Sequence, residues 1–189
     1  MKHFDDKFAL LEHSLALAKQ KGEWIECGVY SGETLFFIAD RAKDRKVYGC
    51  DSFEGLPENA KSYGVWKPRL FSLNEQQRKR LSEDLKEYHN VILVEGWFED
   101  TLAPLNKILK EITFVHIDSD LYESCQVILK DLSSKFVDGV VIQFDEYFNV
   151  SELQEQKAFT QWLDESKWIV EPLGRSEQQY AVRLRKVTA

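Results

Sequence analysis

Short apolar runs alternate with amphipathic stretches along the chain, and this alternation predicts strands and helices in turn. Apolar positions over residues 8–18 have helical spacing, so we expect an opening helix that is closed by a Lys-Gly pair at 21–22. Five strand-like runs follow, each leading to a helical stretch, the second only after a turn-rich connection over residues 52–72. The five runs are EWIECGVY, KVYGCD, NVILVEG, ITFVHID and DGVVIQFDEY. Two more strands, WIVEPL and QYAVRLRKV, close the chain around the tight loop GRSEQ.

This order of elements predicts an α/β protein with a doubly wound sheet. The near-continuous apolar strands indicate burial on both faces, which is typical of a parallel sheet between two layers of helices. The last two strands are separated by too few residues for a helical crossover, so they must pair in antiparallel fashion. We therefore expect a mostly parallel sheet with an antiparallel C-terminal hairpin and helices on both faces. Ligands bind such sheets at the carboxyl ends of the strands, where the strand order reverses.

Composition and charge narrow the class of protein. The chain has 189 residues, the size of one ordinary domain, so residues 1–189 are expected to form a single domain that opens with a helix within residues 1–22. Thirty-two acids against 25 bases give a net charge of −7, and the dispersed bases argue against nucleic-acid binding. No apolar run approaches the roughly 18 residues of a membrane span, so no membrane partner is expected.

Two features predict a cytoplasmic location. Acids interrupt the apolar stretch at the start of the chain and no small-residue cleavage site follows, so this stretch resembles an amphipathic helix more than a signal peptide. The three cysteines, Cys27, Cys50 and Cys125, have no metal-like spacing and leave one residue unpaired in any disulfide scheme. A reducing cytoplasm is the expected environment for such a set.

The first strand ends in a glycine turn, ECGVYSGE. Gly28 and Gly32 would let the backbone approach a ligand closely, and the N–H groups of the following helix would point at an anion placed there. The turn is neither a GxGxxG motif nor a P-loop, because no Lys-Ser/Thr pair follows Gly32. A purely structural strand-to-helix turn therefore stays open as an alternative.

Carboxylates stand at the ends of three other strands. Asp51 follows the glycine turn by roughly twenty residues, where nucleotide-binding sheets hydrogen-bond ribose hydroxyls, although a turn or N-cap aspartate is the alternative. Asp118 ends the fourth strand and Asp145 and Glu146 end the fifth, so the three could converge on one edge of the sheet. Close carboxylates repel unless a proton or a cation neutralises them, and hard oxygen ligands suit Mg²⁺ or Ca²⁺. Capping of the following helices is the alternative.

Five linked motifs resemble the macrocin O-methyltransferase family of class I enzymes that use S-adenosylmethionine. They are ECGVYSGET, YGCDSFEGLPE, VEGWFEDTL, VHIDSDLYES and FDEY, and the resemblance runs from about residue 23 to 165. It implies a seven-stranded, Rossmann-like methyltransferase sheet with a reversed final strand, in agreement with the predicted hairpin.

The resemblance also implies a set of cofactor-binding residues. The first turn would hold the methionine end of S-adenosylmethionine, the end of the second strand the ribose, and the end of the third strand the adenine. Asp118 would border the same site. The residues are Glu26, Gly28, Tyr30, Ser31, Gly32, Thr34, Asp51, Ser52, Phe53, Gly96, Trp97, Phe98 and Asp118.

Asp118, Asp145 and Glu146 match the magnesium site of the family. The resemblance implies in-line transfer of the sulfonium methyl to a hydroxyl oxygen, with Asp118 and Asp145 catalytic and Asp118 or a neighbouring carboxylate accepting the proton. Catechol-type enzymes place a lysine, which acts as the base, three residues after the first metal aspartate. This chain has Leu121 at that position, so the same base is not expected here. The other acids of TFVHIDSDLYES, Asp120 and Glu123, are expected to start and cap the next helix.

The expected acceptor is a hydroxyl of a sugar or of a glycosylated natural product. A phenol or catechol hydroxyl and a non-catalytic cofactor-binding partner protein stay open, while a nicotinamide-dependent oxidoreductase is the weakest alternative. Relatives that modify antibiotic sugars carry a longer N-terminal region that covers the substrate and builds a homodimer, whereas about 22 residues precede the first strand here. The connection over residues 56–73, with Tyr63, Trp66 and Phe71, is a candidate replacement lid, with a packed surface loop as the alternative.

Overall fold

The structure is a computed structural model that describes residues 1–18, 20–58, 60, 67–149 and 153–187. Its strands are β1 (Glu23–Cys27), β2 (Val47–Asp51), β3 (Val91–Glu95), β4 (Ile112–Ile117), β5 (Phe136–Phe144), β6 (Trp168–Arg175) and β7 (Tyr180–Lys186). Its α-helices are α1 (Lys7–Leu17), α2 (Glu33–Ala42), α3 (Glu75–Asp84), α4 (Phe98–Ile108), α5 (Tyr122–Leu132) and α6 (Gln154–Glu165). Every predicted strand and helix is present, with ends that shift by a few residues.

The strands form one sheet with the order β3-β2-β1-β4-β5-β7-β6. Neighbouring strands from β3 to β5 are parallel, while β7 is antiparallel to both β5 and β6. This topology confirms the predicted doubly wound sheet with a C-terminal hairpin. The strand order reverses between β1 and β4, so the ligand edge predicted from the sequence lies beyond Cys27 and Ile117, which are paired.

Helices cover both faces of the sheet, as predicted. One core cluster packs α4, α5 and α6 against the sheet, and the other packs α1 and α2, with Leu81 of α3, against the opposite face. All six positions of β4 are buried, which explains why ITFVHI is apolar apart from Thr113 and His116. The apolar character of the central strands thus follows from their burial on two sides.

The expectation of burial on both faces, made for the five strands that lead into helices, is wrong for the edge strand β3, and β6 at the other edge is also partly exposed. In β3 and β6 buried or half-buried positions alternate with exposed ones, and Ile92 and Ile169 are exposed. An edge strand has a neighbouring strand on one side only, so flanking helices cover it incompletely. Apolar sequence alone does not distinguish these strands from the central ones.

Residues at the start of the chain are tied to the far edge of the sheet. His3 forms a parallel bridge with Arg175, where the Phe4 N–H donates to the Arg175 carbonyl at 2.9 Å and the Arg175 N–H donates to the Lys2 carbonyl at 2.9 Å. Asp6 then caps α1 by accepting from the Ala9 N–H at 2.8 Å. These contacts fix the first turn of α1 beside the carboxyl edge of the sheet.

Candidate active site

A cavity of about 540 Å³ opens at the carboxyl ends of β1 to β5. This is the edge predicted from the strand order, and the volume falls in the range of small-molecule sites. Eight of the residues predicted to bind the cofactor line it, namely Gly28, Tyr30, Asp51, Ser52, Gly96, Trp97, Phe98 and Asp118. Asp145 and Glu146, predicted to hold a metal, line it as well.

Five of the predicted cofactor residues lie outside the cavity lining. Glu26 is fully buried beneath the site, and Thr34 is buried in the first turn of α2. Gly32 is the N-cap of α2, with a left-handed φ of 89°, and Ser31 next to it is exposed. Phe53 packs into the core beside Leu73 and Leu81 rather than along the cavity.

The glycine turn after β1 allows two strand ends to touch. Gly28 has a φ of 97°, and its N–H donates to the Cys50 carbonyl at 2.9 Å. A Cβ built at this position would lie 1.7 Å from the carbonyl oxygen of Asp118. Only glycine therefore lets the turn after β1 pack against the turn that carries Asp118.

Asp51 organises the same turn from the end of β2. Its Oδ2 accepts from the N–H groups of Val29 and Tyr30 at 2.7 and 2.8 Å, and its Oδ1 accepts from the Phe53 N–H at 2.7 Å. A carboxylate offers about four acceptor positions, so these bonds leave room for about one more. The sequence predicted that Asp51 binds both ribose hydroxyls at once. The three backbone N–H groups occupy most of its acceptor positions, so it has room for about one hydroxyl.

A cluster of ionisable groups lies at the ends of β4 and β5. His116, Asp118 and Asp145 each offer a ligand atom, and these atoms lie within 4.8 Å of one another. Glu146 borders the cavity outside this cluster, and its Oε2 accepts from Asn149 Nδ2 at 2.8 Å. The sequence prediction did not include His116. The only sequence feature that could have pointed to it is its polar side chain within a strand that is otherwise mostly apolar.

His116 is fully buried between two carboxylates. Its Nδ1 lies 2.8 Å from Glu26 Oε1, and its Nε2 lies 3.7 Å from Asp145 Oδ1, beyond hydrogen-bond distance. Burial disfavours the imidazolium, but Asp145 and Glu26 outweigh it and raise the pKa of His116 to about 10. Burial also raises the pKa of Glu26, whereas the charge of His116 overcomes burial and lowers the pKa of Asp145.

The cluster has the chemistry of a cation site. Burial and the nearby Asp145 raise the pKa of Asp118 well above its usual value, because two close negative charges repel each other. Asp145 Oδ1 is buried and has no hydrogen-bond partner among the described residues. Carboxylate oxygens of this kind are the ligands that Mg²⁺ prefers, so Asp118 and Asp145 fit a hard divalent cation, with Glu146 on the same wall.

Asp120 differs from its expected role as a cap of the next helix. The N-cap of α5 is Leu121, which makes no side-chain cap, while Glu123 lies in the first turn as expected. Asp120 has a left-handed φ of 60°, is buried and lines the cavity. Burial, together with Glu146 and the other nearby acids, raises its pKa to about 8. The left-handed turn directs this side chain to the site, which a helix-start pattern does not reveal.

Two further site residues were missed by the sequence analysis because both come from distant elements. Lys7, in the first turn of α1, is the one basic side chain among the described residues that line the cavity. Glu155 of α6 is completely buried behind the acidic cluster. Burial raises the pKa of Glu155 to about 8, although N–H groups of Ser119 and Glu146 favour its charged form.

The described part of the connection over residues 52–72 closes one side of the cavity. The Leu56 N–H donates to the Leu70 carbonyl at 2.9 Å, and Phe71 contacts Tyr30 edge to face, with ring centroids 5.7 Å apart. Phe71, Leu56 and Pro57 line the cavity. Tyr63 and Trp66, the other aromatic residues of the candidate lid, lie outside the described residues.

The strand order, the reversed β7 and the cavity beyond β1 and β4 define a Rossmann-like methyltransferase fold. Two solved structures share it. Calicheamicin methyltransferase CalS11 superposes with a TM-score of 0.75 at 23% identity, covering 93% of this chain and 76% of that one. The O-methyltransferase NovP superposes with a TM-score of 0.76 at 20% identity, covering 94% and 80%.

The sequence family is consistent with this fold. The model of the macrocin-O-methyltransferase (TylF) family matches residues 6–186, and the chain belongs to that family. A relative from Streptomyces olivaceus, 8-demethyl-8-(2,3-dimethoxy-alpha-L-rhamnosyl)-tetracenomycin-C 4'-O-methyltransferase, is 32% identical over 142 residues. The match covers 67% of this chain and 53% of the relative, so the chain spans about half the length of the curated relatives it matches.

Proposed function

We propose that the chain is an S-adenosylmethionine-dependent O-methyltransferase that acts on a hydroxyl of a sugar or of a glycosylated natural product. The observation that carries the proposal is the cavity at the carboxyl edge, where the glycine turn after β1 meets the acidic ends of β4 and β5. Family membership supports the reaction type. The name of the Streptomyces olivaceus relative, which specifies O-methylation of a rhamnosyl-bearing tetracenomycin, supports the class of acceptor.

The cavity wall fits the parts of S-adenosylmethionine. Gly28 and the adjacent turn leave room for backbone contact with its amino-acid end, and Asp51 keeps about one acceptor position for a ribose hydroxyl. Trp97 and Phe98, at the end of β3, offer aromatic surface to a flat heterocycle. The many carboxylates of the wall favour a cofactor that carries a positive sulfonium and an ammonium group.

The acidic cluster supplies the catalytic part of the proposal. S-adenosylmethionine supplies a methyl group to the acceptor oxygen, and a divalent cation at Asp118, Asp145 and Glu146 would lower the pKa of the acceptor hydroxyl. The chain itself orients these carboxylates through buried partners, with His116 beside Asp145. Asp118 is the proposed acceptor of the hydroxyl proton. Asp120, buried in the same turn and lining the same cavity, is a second candidate for that role.

Cofactor binding is tested by calorimetry with S-adenosylmethionine and S-adenosylhomocysteine. Asp51→Ala leaves the N–H groups of Val29, Tyr30 and Phe53 without their acceptor, and we expect it to weaken both ligands about tenfold or more. Asp138→Ala is the matched control, since Asp138 Oδ1 also accepts from a backbone N–H, that of Lys186 at 2.8 Å, but lies outside the cavity lining. Equal affinity of Asp51→Ala and the wild-type protein would contradict the role of Asp51.

The reaction is tested with radiolabelled S-adenosylmethionine and an extract that contains many hydroxylated acceptors. We expect label in a product that mild acid hydrolysis assigns to a sugar, and loss of labelling with a chelator and in Asp145→Asn. Labelling that persists under both conditions would contradict the metal role. Binding of the cofactor with no labelled product from any extract would contradict the enzyme and favour a cofactor-binding partner protein.

A further inference from the structure

We infer that Glu155 is a positioning residue that holds the β4 and β5 ends of the cavity at a fixed separation. The inference rests on the proposed function, because it concerns the cation and cofactor sites of the same cavity. Glu155 lies on α6, outside the cavity lining, and none of the motifs that identify the family contains it. Its importance follows from the contacts of its two carboxylate oxygens.

The two oxygens of Glu155 serve two different loops. Oε1 accepts from the Ser119 N–H at 3.1 Å and lies 3.3 Å from Ser119 Oγ, a second donor of the same residue. Oε2 accepts from the Glu146 N–H at 2.9 Å. Ser119 directly follows Asp118, and Glu146 directly follows Asp145. One carboxylate thus connects the residues next to both acids of the cluster.

The burial of Glu155 makes these bonds hard to replace. Its exposed fraction is 0%, and removal of the carboxylate would leave the two N–H groups without the acceptor they have in this packing. The Glu155 backbone lies next to the core, with its carbonyl 4.0 Å from the buried Cys125 Sγ of α5. The buried carboxylate therefore joins both loops to α6.

Direct backbone pairing does not fix these loops in the same way. The Asp118 N–H donates to Cys27 and the Asp145 N–H to Ile117, both at 2.9 Å, which aligns the strand ends but not the turns beyond them. Beyond those points, Ser119 and Asp120 turn into the cavity on one side and Glu146 on the other. Glu155 is the described side chain that bonds to both turns, so it sets the distance between the carboxylates that a cation must bridge.

The experiment compares Glu155→Ala and Glu155→Gln with the wild-type protein. Affinities for Mn²⁺, measured by electron paramagnetic resonance, and for S-adenosylhomocysteine, measured by calorimetry, are the readouts. Outer-shell partners of metal ligands contribute about 10- to 100-fold to affinity, so we expect Mn²⁺ binding to weaken at least tenfold in Glu155→Ala. Glu155→Gln keeps the shape but presents an NH₂ group to one of the two N–H donors, so we expect an intermediate loss.

Asn90→Ala is the matched control. Asn90 Nδ2 lies 3.2 to 3.4 Å from the carbonyls of Ala39, Lys43 and Arg45, so it also joins separate segments, but at the amino edge of the sheet. We expect Asn90→Ala to lower stability without changing Mn²⁺ affinity. The amide resonances of Ser119 and Glu146 should both move upfield in Glu155→Ala, one of the two should do so in Glu155→Gln, and both should stay in place in Asn90→Ala, which a general loss of stability would not produce.

The outcomes separate the two proposals. If the wild-type protein binds neither Mn²⁺ nor S-adenosylhomocysteine, the proposed function fails and this inference fails with it. If the wild-type protein binds both and the Glu155 variants bind Mn²⁺ equally well, the proposed function stands and the positioning role is wrong. If neither Glu155 variant folds while Asn90→Ala does, Glu155 acts in folding and the inference is also wrong.

Discussion

Single residues determine whether the strand ends can meet at the cavity. Gly28 contacts the backbone of Asp118 so closely that a methyl group would overlap it, and Asp51 holds the same turn through three backbone N–H groups. Each of these residues shapes the backbone before it can contact a ligand. Their substitution should therefore affect folding stability and cofactor binding together.

Gly28→Ala tests this coupling. We expect a loss of stability well beyond about 1–2 kcal/mol, the cost of left-handed backbone in a non-glycine residue, because the new Cβ also meets a backbone carbonyl. Urea unfolding monitored by circular dichroism measures the loss. Gly139→Ala is the control, since Gly139 has a similar φ of 88° but its Cβ would meet only the flexible ends of Gln20 and Arg185. Similar losses in the two variants would contradict the clash.

Residue-level sequence patterns predicted only part of this site. The acids at the ends of β4 and β5 could be predicted because parallel strands deliver their last residues to one edge. His116 could not, since its role depends on Glu26 and Asp145, which reach it from the strands on either side of β4. Asp120 was misassigned to a helix cap because the left-handed turn at that residue has no sequence signature of its own.

At the scale of elements, a buried polar pair joins α1 to the sheet in addition to the apolar packing of this helix. Ser14 Oγ lies 2.8 Å from Gln143 Oε1 and 2.9 Å from the Leu10 carbonyl, and both side chains are fully buried. Gln143 is two residues before Asp145 on β5. The pair thus joins the helix that carries Lys7 to the strand that ends in the acidic cluster.

Ser14→Ala should reveal the contribution of this pair. The Gln143 oxygen would lose its donor in a place that water does not reach, so we expect stability to fall by about 1–3 kcal/mol. Thermal unfolding measures the change. Ser134→Ala is the control, because Ser134 accepts only an exposed hydrogen bond from Asn106. A loss no larger than that of the control would show that the pair does not anchor α1.

Element types were easier to predict than their surroundings. Apolar runs and helical spacing identified all seven strands and six helices of the described chain, because both patterns are local. The exposure of β3 and β6 depends on which strands lie at the edges, and the position of Glu155 depends on how α6 packs behind β4 and β5. Neither is a local property, so neither could be predicted from the sequence.

At the scale of the whole molecule, the core contains the three cysteines as unpaired thiols. Cys27, Cys50 and Cys125 are all buried and free. Separately, no helix among the described residues is long and apolar enough to cross a bilayer. Burial raises the pKa of the Cys27 and Cys125 thiols well above their usual value. A protonated, inaccessible thiol reacts slowly with electrophiles.

Thiol labelling therefore reports on global unfolding. We expect the native protein to react very slowly with an aromatic disulfide reagent at pH 8, and all three thiols to react within minutes in concentrated guanidinium chloride. Absorbance of the released thiolate measures both rates. Rapid reaction of one thiol in the native protein would show that a segment over the core opens independently of global unfolding.

The bridge between His3 and Arg175 has a consequence for self-association. A strand at the edge of a sheet has unpaired backbone N–H and C=O groups. Another molecule can pair with these groups, so intermolecular β-pairing usually begins at an edge strand. In this protein residues 2–4 pair with the backbone of Arg175, the last residue of the edge strand β6. Residues 2–4 thus cover the Arg175 end of β6, whereas Ile169 near its other end stays exposed, so at this edge intermolecular pairing is expected around Ile169.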